Sequence, residues 1–207
     1  MLRLVVVMFF PMVLLACDSN DGNTSSTDIR YGTDAQGDVS FSFIDITDVS
    51  VTITDTQIKI DLGLLNIPGT LTYDSVNAPD NVEEYGWRVW FDLDDDGTIN
   101  NNIWIDLSSH KTPGDIESVG KIENFADRSI CLVDGVGQYC NYVGTFDLKT
   151  ENNTLKITIA KSINDIFQEV DHATKVSFVA IYQIGNTRYL DNYPDGDGNS
   201  YVELQSR

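Results

Sequence analysis

Asp92-Leu93-Asp94-Asp95-Asp96-Gly97 places aspartates at three alternate positions and a glycine directly after them. That spacing suits a hard cation. Calcium takes six to eight oxygen ligands, and alternate carboxylates can curl around one point where a glycine supplies the tight turn. The Thr98 carbonyl falls where the next ligand is needed, and Asn100 is a further donor, directly or through water. The loop departs twice from the helix–loop–helix calcium motif. Its twelfth position is Ile103 rather than a bidentate glutamate, and its flanks read as strands. A full shell therefore calls for an acid from elsewhere, with Glu83, Glu84, Asp106 and the loop Asp195-Gly196-Asp197-Gly198-Asn199 all open as sources. Asp195, Asp197 and Asn199 are also candidates for a second ion of their own, although Asp, Gly and Asn equally make plain turns. The competing reading of the first loop is a solvated acidic hairpin turn. Against it, carboxylates crowded into one loop repel each other and cost stability unless a cation sits among them.

All the tryptophans flank this loop. In a strand through Tyr85, Trp87, Val89 and Phe91 those four share a face, and Arg88 and Trp90 point the other way. In the returning strand Ile103, Ile105 and Leu107 take the core face, leaving Trp104 and Asp106 opposite. A register that pairs Trp90 with Trp104 also sets Arg88 beside Asp106. Two exposed, coplanar rings there would form a platform for the apolar face of a sugar. The alternative is that both rings are covered, as tryptophan usually is.

The elements that must carry these residues read as strands. Val49, Val51 and Ile53 alternate with polar residues, and after Asp55-Thr56-Gln57 the alternation resumes at Ile58, Ile60 and Leu62. Similar runs lie at Tyr85 to Phe91, Ile103 to Leu107, Tyr142 to Leu148, Leu155 to Ile159 and Val176 to Tyr182. One segment differs. Ser162 can cap a short helix over residues 162–170, with Ile163, Ile166, Phe167 and Val170 on one face. The expectation is an all-β protein, an antiparallel β-sandwich with that helix across one end.

The chain has 207 residues and a formal charge of -19, which argues against nucleic acid as a partner. Asp134-Gly135 lies in a hairpin between Cys131 and Cys140, which predicts a disulfide stapling that hairpin. Enzyme signals are weak: there is no Gly-x-Ser-x-Gly elbow, phosphate-cradling glycine loop or His-rich metal motif. The expectation is a binding protein and not an enzyme. His110 and His172 read as surface residues.

The N-terminus gives an address. Met1-Leu2-Arg3 is followed by an apolar run from Leu4 to Leu15, too short to span a bilayer, and then Ala16-Cys17. Leu14-Leu15-Ala16-Cys17 resembles the lipobox of bacterial lipoproteins. The resemblance implies a signal peptide over residues 1–16, an acylated Cys17 inserted in a lipid bilayer, and a place in the cell envelope, facing the periplasm of a Gram-negative cell. Either the inner or the outer membrane remains open. Residues 17–37 are rich in Asp, Asn, Ser, Thr and Gly and read as a flexible tether, leaving residues 38–207 as one domain.

Tyr85-Gly86-Trp87-Arg88-Val89-Trp90-Phe91-Asp92-Leu93-Asp94 resembles the aromatic strand and acidic turn of DOMON-like sandwiches, which include the family 9 carbohydrate-binding modules. The order that follows is similar too: a strand to Ile159, a short helical segment, the Val176 to Tyr182 strand, then Asp191-Asn192-Tyr193-Pro194-Asp195-Gly196 before a last strand. The resemblance implies ligand binding rather than catalysis, with calcium at Asp92, Asp94 and Asp96. Haem is not expected, since members that bind it use a Met–His pair and every methionine here (Met1, Met8 and Met12) lies in the signal. A carbohydrate or another extracytoplasmic ligand is the expected partner; a protein-docking lipoprotein is the alternative.

Overall fold

The computed structural model describes residues 28–73, 83–97, 102–111, 121–125, 127–134, 139–171, 174–195 and 205–206. Cys17, Thr98, Asn100, Asp197 and Asn199 lie outside the described residues, as does the whole signal segment.

Period-two alternation produces what it should. β1 (Asp28–Thr33), β2 (Ile46–Ile53), β3 (Gln57–Leu64), β8 (Asp147–Glu151), β9 (Thr154–Ala160) and β12 (Gln205–Ser206) form one antiparallel sheet. β4 (Glu83–Asp92), β5 (Asn102–Lys111), β6 (Asp127–Asp134), β7 (Tyr139–Gly144), β10 (Lys175–Ile184) and β11 (Thr187–Tyr193) form the other. The strand orders are β12-β1-β2-β3-β9-β8 and β11-β10-β4-β5-β6-β7. Val49, Val51, Ile60, Leu62, Ile157 and Ile159 of the first sheet meet Trp87, Val89, Phe91, Ile105, Leu107 and Phe178 of the second in one buried core. Burying a side chain of this size contributes roughly 1.5–3 kcal/mol, which gives each sheet its inner face.

The structure corrects several expectations. The stretch read as tether contains β1 from Asp28 onward, paired along its length with β2 from Asp28↔Ile53 to Thr33↔Asp48. Backbone pairing holds that polar segment in place, which its own composition does not foretell. The run Tyr142 to Leu148 is two strands rather than one: β7 ends in the second sheet at Gly144, and β8 begins in the first at Asp147.

The expected helix over residues 162–170 is a pair of 3-10 turns, Lys161–Ile163 and Asp165–Gln168. Asn164 is extended between them and its side chain accepts the Ile166 N–H at 3.1 Å, so Asn164 rather than Ser162 is the cap. A local side-chain bond of this kind competes with helix propagation. Phe167 and Val170 still reach the core.

The disulfide forms between Cys131 and Cys140 across the β6–β7 hairpin, with Cα atoms 5.0 Å apart. The cysteines sit diagonally rather than opposite each other, because Cys131 pairs with Tyr142 and Cys140 with Val133. A loop this small contributes about 2–3 kcal/mol from closure.

Candidate functional site

β4 and β5 pair without interruption from Glu83↔Lys111 to Asp92↔Asn102, so the acidic loop leaves the ladder at a fixed point. Asp92 closes β4 and is 1% exposed. Its Oδ2 accepts the Gly97 N–H at 3.0 Å, and its buried Oδ1 has no hydrogen-bond partner. Gly97 has φ +72 and Asp95 φ +58, left-handed conformations that return the chain toward Asp92. Carboxylate oxygens of Asp92, Asp94 and Asp96 lie within 4.8 Å of one another. Two oxygens bound to one calcium are at most about 5 Å apart, so the three can share an ion. Burial is the main force raising the Asp92 pKa. The Gly97 N–H opposes the rise, and Asp94 and Asp96 add to it.

Three of the acids considered as additional ligands are engaged elsewhere. Glu83 stands at the opposite end of β4, about 30 Å away at some 3.3 Å per residue. It accepts the hydroxyls of Tyr182 at 2.9 Å and Tyr85 at 3.3 Å. Glu84 and Asp106 both belong to Arg88, at 2.6 Å each. The residue the sequence reading overlooked is Asn102. It is buried directly opposite Asp92 in the ladder, and register alone would have named it.

On the outer face of β4 and β5, Trp90 pairs with Trp104 and Arg88 with Asp106, the register expected from the sequence. The two indoles are half-buried and cross edge to face at 84°, with ring centroids 6.0 Å apart. They therefore do not make the coplanar exposed platform that sugar stacking would use. The Arg88 guanidinium instead lies over Trp104, 5.5 Å from the ring centroid. Ser108 completes the group by donating to Asp106 at 2.7 Å.

Asp195 is not grouped with the β4–β5 loop. It sits with Asp34 and Asp191, while Asp191 also groups with Asp38 and Asp45; within each trio the carboxylate oxygens lie within 4.8 Å of one another. Asp34 and Asp38 come from the β1–β2 connection, and Asp45 directly precedes β2. Asp191 comes from β11 in the other sheet, and Asp195 follows the cis Tyr193–Pro194 bond.

Asp45 is 0% exposed. Its Oδ2 accepts the Gly37 N–H at 2.8 Å and its Oδ1 has no partner. Asp191, 3% exposed, accepts the Ile46 N–H at 2.5 Å, a bond joining the two sheets. Burial, with Asp34 and Asp38 adding, pushes the Asp191 pKa up to about 7. Burial together with Asp195, Asp38 and Asp45 pushes Asp34 up to about 6.

This strand approach depends on Gly32. A Cβ there would run into the Tyr193 ring, two residues beyond Asp191. The sequence carried no signal for this burial, since Ile44-Asp45-Ile46 reads as ordinary alternation with the acid facing solvent.

A cleft of about 440 Å³ opens elsewhere, lined by Ile67, Lys121, Glu123, Thr150, Glu151 and Asn153 among others. Its carboxylates are held on the acidic side: Glu123 by bonds from Thr150, Glu151 by Lys156. No family model, curated protein or solved structure matches the chain.

Proposed function

We propose that this chain is a lipid-anchored bacterial envelope protein whose β-sandwich is a calcium-stabilised binding domain rather than an enzyme. The observation that supports it is the Asp92 carboxylate. One of its oxygens is buried and unpartnered beside Asp94 and Asp96, an arrangement that a divalent cation would satisfy. Asp92, Asp94 and Asp96 would hold the ion, with Thr98 and Asn100 as further donors. The bound ion would supply charge neutralisation and fix the end of the β4–β5 hairpin. Acylated Cys17 would be the membrane attachment.

The crossed indoles weaken a sugar platform at Trp90 and Trp104. The alternative, a protein ligand, would dock along a sheet edge such as β7, where Tyr142 is 65% exposed.

The test is a thermal melt of the full chain, purified in detergent, in calcium and in excess chelator. Calcium is expected to raise the melting temperature, and the rise is expected to shrink in Asp94→Ala. A rise that Asp94→Ala leaves unchanged removes the loop as a site. Incorporation of radiolabelled palmitate, lost in Cys17→Ala, tests the anchor.

A further inference from the structure

We infer that Asp34, Asp38, Asp45, Asp191 and Asp195 form a second site for a calcium-like divalent cation, one that joins β2 of the first sheet to β11 of the second. The inference does not rest on the β4–β5 loop. It stands first on Asp45, whose carboxylate is fully buried with one oxygen bonded to the Gly37 N–H and the other unpartnered. An unmet buried charge of this kind is costly, and proteins normally provide it with a partner.

Geometry is the second support. Asp191 belongs to both aspartate trios, and the oxygen spacing within each fits one calcium shell. The side chains whose charges act on Asp34 and Asp191 are all aspartates. Asp45 likewise feels only Asp38. Among the described residues, the charged neighbours that raise these carboxyl pKa values are further aspartates.

The donor set selects the class of ion. Carboxylate oxygens alone suit a hard cation and not zinc or copper, which prefer nitrogen and sulfur. Ligands drawn from separate segments favour calcium, which tolerates irregular shells of six to eight oxygens, over magnesium, which demands near-octahedral geometry. Such an ion would replace mutual repulsion with attraction on both sides of the sheet-to-sheet bond from Ile46 to Asp191.

Calcium titration calorimetry on the full chain in detergent tests this. Asp94→Ala is expected to retain one calcium. Asp38→Ala/Asp195→Ala, two exposed positions that leave the core intact, is expected to lose one ion or to bind it at least tenfold more weakly. Asp45→Asn, which keeps the side-chain size, is expected to do the same. If wild type binds no calcium at millimolar concentration, or if Asp38→Ala/Asp195→Ala keeps wild-type stoichiometry and affinity, the inference is overturned. Failure of the β4–β5 loop reading looks different: Asp94→Ala then leaves stoichiometry unchanged while Asp38→Ala/Asp195→Ala binds nothing.

Discussion

The outer face of the second sheet and the seam between the sheets both gather carboxylates, and they manage them in opposite ways. At Glu84 and Asp106 the chain brings its own cation. Arg88 reaches both carboxylates at 2.6 Å and lays its guanidinium against Trp104. At Asp34, Asp45 and Asp191 backbone N–H groups take one oxygen each, and the neighbouring charges are further aspartates. The first group is complete within the polypeptide. The second holds together only at the expense of raised pKa values, unless something from solution completes it. Where stability must not depend on surroundings, an arginine is built in; where carboxylates are left facing each other, stability becomes a function of what the medium contains.

Withdrawing calcium should separate the two groups most sharply. A ligand that binds only the folded state stabilises by about 2.7 kcal/mol at a hundredfold excess over its dissociation constant, so two sites together amount to about 5 kcal/mol. Urea unfolding in calcium and in chelator should differ by that order, with the Arg88 group contributing equally to both curves. Arg88→Ala comes next. It leaves Glu84 and Asp106 facing each other in a largely covered site and is expected to cost about 3 kcal/mol, the same with or without calcium. A cost that calcium abolished would show that the groups are not independent.

Asp191→Asn should change sign with conditions. It removes a repelling charge, so in chelator it is expected to stabilise by about 1 kcal/mol, and in calcium to destabilise by a similar amount. The pH dependence of the calcium-free protein is a further test. Asp191 and Asp34 titrate near 7 and 6 in the fold against an ordinary value of 3.8, so the folded state holds their protons more tightly than the unfolded chain. Their contribution to stability is complete below about 3.8 and is lost as pH rises through 6 to 7. The chelated protein should therefore melt a few degrees lower at pH 8 than at pH 5. That slope should flatten in Asp191→Asn and vanish in saturating calcium.

How much of this could be read in advance follows from where the determinants lie. Alternation of Val49, Val51 and Ile53 against Ile58, Ile60 and Leu62 is a local signal, and β2 and β3 pair in that register. The pairing of Trp90 with Trp104 predicted the Arg88–Asp106 bridge, because one register fixes every pair along a ladder. β1 was not legible, since Asp28 to Thr33 carries few large apolar residues and owes its conformation to β2. β11 inverts the usual rule for an edge strand: Leu190 is exposed while Asp191 is buried, so hydrophobic patterning does not mark it as a strand. The seam cluster was hidden by distance along the chain, its sheet-to-sheet bond joining residues 145 positions apart. The acidic loop at Asp92 was legible because its aspartates are neighbours along the chain.

The Cys131–Cys140 bond sits at another exposed margin of the sandwich. β7 is the outermost strand of the second sheet, and the chain passes from it directly to β8, the outermost strand of the first. An outermost strand offers unpaired backbone groups to any passing chain, and one that can swing away also offers its vacated place. The covalent tie between β6 and β7 forbids that exchange. Reduction of that bond would free β7 from β6 and open a route to strand-exchanged forms at this side of the molecule.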